Sequence, residues 1–153
     1  MKLREKQKAP EYQTVAEFRY RIRRYLRFSE QVARAAGLEP QQYQLLLALK
    51  GLPAGKQSTI GVLAERLQLE HHSTVELIDR LEERRLVRRS RDRIDRRQVL
   101  IQITPKGEGL LHDLVLHHLE ELETVGPELV RVLNRILSRL GLTVRRLKAV
   151  NDK

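Results

Sequence analysis

The segment from Ser58 to Gly107 constrains what this chain folds into more than any other part of the sequence. Its pattern predicts a short helix, a tight turn, a second helix, two strands joined by a charged hairpin tip, and a helix opened by Pro105. The tip, residues 91–97, reads RDRIDRR and follows directly on a helix rich in arginine. Such an order predicts a small helix–turn–helix and β-hairpin unit with helices on either side.

A helix that enters a major groove, beside a basic hairpin that reaches the next minor groove, is the plan of a winged helix-turn-helix. The charge distribution supports this plan. The chain has 30 basic and 20 acidic side chains, a net charge of +10, which favours polyanionic partners. From Arg80 to Arg97 there are nine arginines and four acids, and nine minus four is +5, half of the net charge. Double-stranded DNA is therefore the leading candidate partner.

The length of 153 residues fits one domain, and an apolar fraction of 41% is enough for a core of Leu, Ile and Val, since Trp is absent. The lack of cysteine excludes disulfides, thiolate metal sites and thiol-based oxidant sensing. We expect neither a signal peptide nor a bilayer-spanning segment, and the cytoplasm is the default location.

Both ends of the chain are predicted to be helical. The amphipathic stretch 11–37 is expected to form one long helix with a narrow apolar stripe that needs a partner, and residues 1–10 to form a mobile arm. Pro40 opens a second helix, Ser58 is expected to cap a third, and a fourth runs from about His71 to Arg85. From Pro105 a broad apolar face predicts a helix that ends at Gly126-Pro127, followed by a further helix and a last piece around Val144 and Leu147.

The predicted fold class is therefore mainly α with a small β-wing. A winged helix-turn-helix DNA-binding region over 38–104 is flanked by dimerisation helices over 11–37 and 105–153, in a single domain overall. The economical arrangement of two amphipathic helical ends is a homodimer joined through them.

The central segment resembles the MarR family of winged-helix transcription regulators, and the resemblance covers about residues 12–150. Its specific part is the order of three motifs, namely Leu86-Val87-Arg88-Arg89, the wing Asp92-x-x-Asp95-Arg96-Arg97, and Ile101-x-Ile103-Thr104-x-x-Gly107. The resemblance implies a homodimeric regulator, most simply a repressor, that a small aromatic or anionic ligand releases from DNA.

By the same resemblance, the recognition helix begins at the residues that supply short donors near its positive end. The preceding helix start can hold a phosphate, and Arg96 is the first choice for minor-groove insertion. Arg97 is expected to pair with Asp79 or Asp95 and to hold the wing in place. The candidate DNA-binding residues are Ser58, Thr59, His71, His72, Ser73, Thr74, Arg80, Arg91, Arg93, Arg96 and Arg97.

Two positions depart from the family pattern. Arg85 stands where members often have glycine, and since a left-handed cap costs arginine roughly 1 kcal/mol more, the helix end is expected to close differently. Glu76 completes a possible capping box with Ser73, which would move the helix start later unless the match is chance. Glu76 either caps the helix, the favoured interpretation, or accepts from cytosine.

His112, His117 and His118 invite a metal hypothesis, but further ligands are not apparent, so a partly exposed helix surface is expected, without a metal or cofactor. The sequence shows no catalytic constellation, and an enzyme is not expected. The alternatives to a specific regulator are a non-specific architectural DNA-binding protein and a helical protein-interaction module.

Overall fold

The computed structural model describes residues 12–141. The predicted arm at 1–10 and the predicted last helical piece around Val144 and Leu147 lie outside the described residues. The elements in chain order are α1 (Tyr12–Ala35), α2 (Pro40–Lys50), α3 (Ile60–Leu67), α4 (His71–Glu83), β1 (Val87–Arg91), β2 (Val99–Ile103) and α5 (Pro105–Arg139). The predicted mainly helical fold with a small β-wing is confirmed.

The described residues fall into two compact units, which we call the central unit (residues 29–118) and the terminal unit (residues 12–28 and 119–141). The helices α1 and α5 each contribute to both. The central unit has a continuous core in which the largest side chains are fully buried, among them Leu45, Leu46, Leu63, Ile78, Leu81 and Ile101. These leucines and isoleucines come from α2, α3, α4 and β2, which explains how a chain without tryptophan fixes the helix–turn–helix.

The wing is a two-stranded antiparallel sheet in which Val87 lies opposite Ile103 and Arg91 opposite Val99. A bridge from Thr59 to Leu100 and a hydrogen bond from the Ile101 N–H to the Ser58 carbonyl (2.9 Å) attach the start of α3 to this sheet. The predicted cap at Ser58 is wrong by one residue. Since Ser58 is engaged with β2, Thr59 caps α3 instead, and its Oγ1 accepts from the Val62 N–H at 3.3 Å.

The helix α4 begins at His71 with Glu70 as its N-cap residue. Ser73 and Glu76 therefore lie inside the helix, so their capping-box match is chance and the capping role favoured for Glu76 is wrong. At the other end Arg85 adopts a left-handed φ of +59°. The Leu86 N–H donates to the Leu81 carbonyl at 2.9 Å, which closes the helix in the usual left-handed manner.

The expectation of a different closure at Arg85 is therefore also wrong. Leu81 and Leu86 are both fully buried. The burial of these two leucines on either side of the turn offsets the strain at the arginine between them.

Thr104 caps the start of α5, because its Oγ1 accepts from the Gly107 N–H at 3.1 Å. The Thr104 hydroxyl also donates to the Arg85 carbonyl at 2.7 Å, which ties α5 to the end of α4. A Cβ built at Gly107 would lie 2.2 Å from the Leu86 carbonyl oxygen. Only glycine lets α5 leave the wing at this close approach.

The predicted helix end at Gly126-Pro127 is wrong, because α5 continues as one helix of 35 residues with Pro127 inside it. A proline in a helix interior loses a hydrogen bond and clashes with its preceding turn. Gly126 removes the Cβ that would otherwise meet the proline ring. The apolar face resumes beyond it, and Val132 is buried.

His118 is buried, which contradicts the expected exposed surface for this residue, whereas His112 and His117 are exposed. Its ring stacks on Tyr43 with centroids 4.7 Å apart. Nδ1 lies 2.5 Å from the Leu114 carbonyl and Nε2 lies 2.7 Å from the Ser29 hydroxyl. A carbonyl only accepts, so Nδ1 donates and Nε2 accepts from Ser29. His118 thus joins α1, α2 and α5 within the central unit.

Candidate nucleic-acid interface

The amino end of α4 presents polar side chains outward. His71 and His72 are exposed and Ser73 is half-buried, so all three stay candidates for contact with DNA. Thr74 is fully buried, and its Oγ1 donates to the Glu70 carbonyl at 3.0 Å. The prediction that Thr74 contacts DNA is therefore wrong, because its position on the helix turns it into the core.

Further along α4 the exposed face carries both signs of charge. Arg80 and Glu76 are exposed, and so is Asp79. Arg80 remains a candidate for phosphate or base contacts, and Glu76, which does not cap the helix, remains a candidate acceptor from a base.

The start of α3 lies beside the wing. Ser58 and Thr59 are half-buried by the bridge to β2. Because the Thr59 hydroxyl already accepts from a helix amide, its capping role is structural, and a phosphate at this helix start stays a prediction.

The tip of the wing is closed by hydrogen bonds within the loop. The Asp92 N–H donates to the Gln98 carbonyl at 3.0 Å, and the Gln98 N–H donates to the Asp95 carbonyl at 2.9 Å. Asp92 is buried, and its carboxylate accepts from the Ile94 N–H at 2.8 Å and from the Gln57 amide at 2.7 Å. Two aspartates therefore shape the loop from within, and Gln57 ties it to the segment before α3.

The arginine side chains of the wing lie on the outside of this loop. Arg91, Arg93, Arg96 and Arg97 are all exposed. Arg91 donates through its guanidinium to the Arg96 carbonyl at 3.0 Å, so it supports the tip. Residues 91, 92, 93 and 96 line a shallow surface hollow.

The pairing predicted for Arg97 is wrong. Asp79 pairs instead with Arg89, whose guanidinium lies 2.5 Å from the carboxylate. The carboxylate of Asp95 accepts from the backbone N–H of Arg97 at 3.0 Å, not from its side chain. The side chain of Arg97 is therefore exposed on the wing with its neighbours.

Arg89 links the wing to α4, a role that the sequence pattern did not predict. Its guanidinium bonds Asp79 and Glu82 on α4, and its backbone N–H donates to Glu82 at 2.9 Å. Burial lowers the pKa of Arg89, but the hydrogen bonds to the two acids outweigh this and raise it. The strand β1 is thereby fixed to the recognition helix. The signal was present in the sequence, because acids at 79 and 82 share one helix face.

Comparison with known proteins agrees with this geometry. Residues 36–98 match the MarR family. The HTH-type transcriptional regulator MhqR of Bacillus subtilis is 30% identical over 115 residues, which cover 71% of this chain and 76% of MhqR. The chain belongs to the MarR family.

Two further proteins are similar to this chain. An uncharacterised HTH-type transcriptional regulator of B. subtilis, YsmB, is 32% identical over 92 residues, 58% of this chain, and the match spans 63% of the length of YsmB. The transcriptional repressor CouR in complex with a 23-mer DNA duplex has a TM-score of 0.57 at 27% identity, over 77% of this chain and 84% of CouR. CouR from Rhodococcus jostii RHA1 has also been solved with p-coumaroyl-CoA, at 26% identity and a TM-score of 0.58 over 73% of this chain and 82% of CouR.

Within residues 12–141 of this MarR-family chain, no helix is long and apolar enough to cross a membrane. The same residues contain no group of three or more histidine, cysteine, aspartate or glutamate side chains placed to hold a metal ion.

Proposed function

We propose that this protein is a homodimeric, sequence-specific double-stranded DNA-binding transcription regulator that acts as a repressor in the cytoplasm and has no catalytic activity. One observation carries the proposal. The exposed amino end of α4 and the exposed arginines of the wing are fixed to each other through Arg89, Asp79 and Glu82. Two DNA-reading elements held in one rigid frame are what simultaneous contact with a major and a minor groove requires.

In the proposed complex, His71, His72 and Ser73 lie at the positive end of the α4 dipole and contact base edges and phosphates. Arg96 enters the minor groove, where the closely spaced phosphates strengthen the negative potential. Arg93 and Arg97 contact the backbone on either side. These arginine contacts supply affinity, so binding is expected to fall steeply with salt.

The dimer is proposed from the terminal unit. Its described residues leave large apolar side chains exposed, among them Tyr12 (79%), Val15 (49%), Leu119 (53%) and Val130 (58%). A second copy that covers these side chains removes them from water and places two recognition helices against one duplex. Half-sites about one helical turn apart, roughly 34–36 Å, are expected.

Release of DNA by a small aromatic or anionic ligand is proposed by analogy with CouR, whose solved structures include one with DNA and one with p-coumaroyl-CoA. A ligand acts by preferring a dimer in which the spacing of the two reading elements no longer fits DNA.

The test is footprinting on the DNA upstream of this protein's own coding sequence, at near-physiological salt, with unrelated duplex as competitor. We expect a bounded, pseudo-palindromic protected site. Arg96→Ala is expected to weaken binding by about 1–3 kcal/mol. Arg135→Ala removes the same charge from an exposed position on α5 in the terminal unit and serves as the matched control, with little effect expected.

Protection without boundaries, abolished equally by any competitor, would instead support architectural DNA coating. A complete lack of DNA binding would favour the protein-interaction module. Equal losses for Arg96→Ala and Arg135→Ala would remove the wing from the proposal and leave a general charge effect.

A further inference from the structure

The tip of the wing carries an isoleucine that is almost wholly exposed. Ile94 is 96% exposed, which is more than any other large apolar side chain among residues 12–141. It lies between Arg93 and Arg96, both of which are also exposed. An apolar side chain that is almost wholly exposed gains no free energy of burial in the free protein, and a partner that covers it would supply that gain.

The position of Ile94 is held by the loop and not by its own packing. Its backbone N–H donates to the buried carboxylate of Asp92 at 2.8 Å, and Asp92 is itself bonded to Gln57 at 2.7 Å. The loop therefore presents the isoleucine outward from a braced turn. A braced turn loses little conformational entropy when it enters a binding site.

We propose that Ile94 determines specificity at the wing: its side chain packs against the floor of the minor groove and selects A·T over G·C base pairs there. The inference rests on the proposed function, because it requires the wing to enter a minor groove. The arginines on either side supply the complementary charge that draws the tip to the phosphates, and the isoleucine supplies the contact with the bases.

The selection follows from what the two kinds of base pair present. In the minor groove an A·T pair shows acceptors alone, whereas a G·C pair adds the protruding 2-amino donor of guanine. An isoleucine pressed on that amino group blocks it sterically and removes it from water without offering an acceptor. Proteins that bind the minor groove insert apolar side chains, isoleucine among them, between base steps, so this groove accommodates such a side chain.

The experiment first selects bound duplexes from a random pool with the full-length protein and locates by footprinting the base pairs that the wing covers. Duplexes are then made with A·T, G·C or inosine·cytosine at those pairs. Inosine lacks the 2-amino group, so its pair with cytosine resembles A·T in the minor groove and G·C in the major groove. Dissociation constants are measured at one fixed salt concentration for the wild type, Ile94→Ala and Ile94→Val.

The wild type is expected to bind the A·T duplex about tenfold more tightly than the G·C duplex, and to bind the inosine duplex like the A·T duplex. Ile94→Ala is expected to reduce this discrimination to about twofold, and Ile94→Val to retain most of it. Since the side chain is almost wholly exposed, thermal unfolding should be the same for all three proteins.

Two results would overturn the inference while the proposed function stands: unchanged discrimination in Ile94→Ala, or an inosine duplex bound as weakly as the G·C duplex. In both cases the protein still selects a bounded site, and Arg96→Ala still weakens binding. Failure of the wild type to select any sequence would overturn the proposed function, and the role of Ile94 with it.

Discussion

Replacement of Arg89 by alanine is expected to destabilise the protein by about 1 kcal/mol and to loosen the wing from the recognition helix. The side chain of Arg89 is 28% exposed, whereas Asp79 is 52% and Glu82 is 39% exposed. Ion pairs of this exposure contribute about 0.2–1 kcal/mol each, so two pairs on one guanidinium sum to about 1 kcal/mol. The backbone hydrogen bond from residue 89 to Glu82 survives the substitution and limits the loss.

The measurement is urea unfolding at a fixed protomer concentration, because a dimer's apparent stability depends on concentration. Arg88→Ala is the matched control. It lies next to Arg89 on β1, is exposed, and its side chain bonds Gln102 across the wing and not α4. We expect a loss below about 0.5 kcal/mol for this exposed position. Arg89→Lys is expected to fall between the two, since one ammonium does not match the fork that engages both acids.

A double-mutant cycle of Arg89→Ala with Asp79→Ala isolates the pair. We expect a coupling free energy of about 0.5 kcal/mol, in the usual range for exposed pairs. The reasoning is refuted if Arg89→Ala costs no more than Arg88→Ala and the cycle shows no coupling. In that event the wing is held to α4 by the buried leucines and valines alone.

Five further substitutions at four positions test the backbone of the fold. Gly107→Ala should destabilise the protein by about 2 kcal/mol or more, because the new Cβ clashes with the Leu86 carbonyl. Gly109→Ala has open space around it and should stabilise the protein by about 0.5–1 kcal/mol. Equal urea midpoints for the two variants would contradict this. Arg85→Gly should stabilise the protein by about 1 kcal/mol because glycine adopts the left-handed φ without strain. Arg85→Ala keeps the Cβ and should not stabilise the protein. An equal gain in stability from both variants would show that the charge of Arg85 matters instead. Pro127→Ala should raise the thermal midpoint because it restores a helix hydrogen bond, and the free energy of unfolding should rise by up to about 3 kcal/mol. A lower midpoint would show that the proline is needed there.

Local patterns in the sequence predicted the order of the elements well. The helix starts at Pro40 and Pro105, the tight turn after α3 and the two wing strands all depend on residues close in the chain. Prediction failed at Pro127, where a local helix breaker is overridden by a long apolar face, and at Arg85, where two buried leucines outweigh a local strain.

The candidate site shows the same division. The exposed ends of α4 and the wing arginines were predicted from charge and position, but Thr74, one residue beyond Ser73, is buried, and Arg89 rather than Arg97 pairs with Asp79. Residues of similar chemistry differ in whether the backbone directs their side chains into the core or toward solvent. Sequence patterns with an uncertainty of one residue in register therefore do not separate them.

The sequence by itself determined the succession of helices and strands, the place of the charged hairpin and the membership of the chain in a family. Hydrophobic periodicity, proline, glycine and charge act over a few residues, so the elements that they specify can be predicted from the local sequence. Only the tertiary structure decided which of several like side chains are used: Thr59 as the cap, Arg89 as the link between wing and helix, His118 inside the central unit, and Ile94 at the tip of the wing. Those choices depend on distance and burial between residues far apart in sequence, which exist only once the chain has packed.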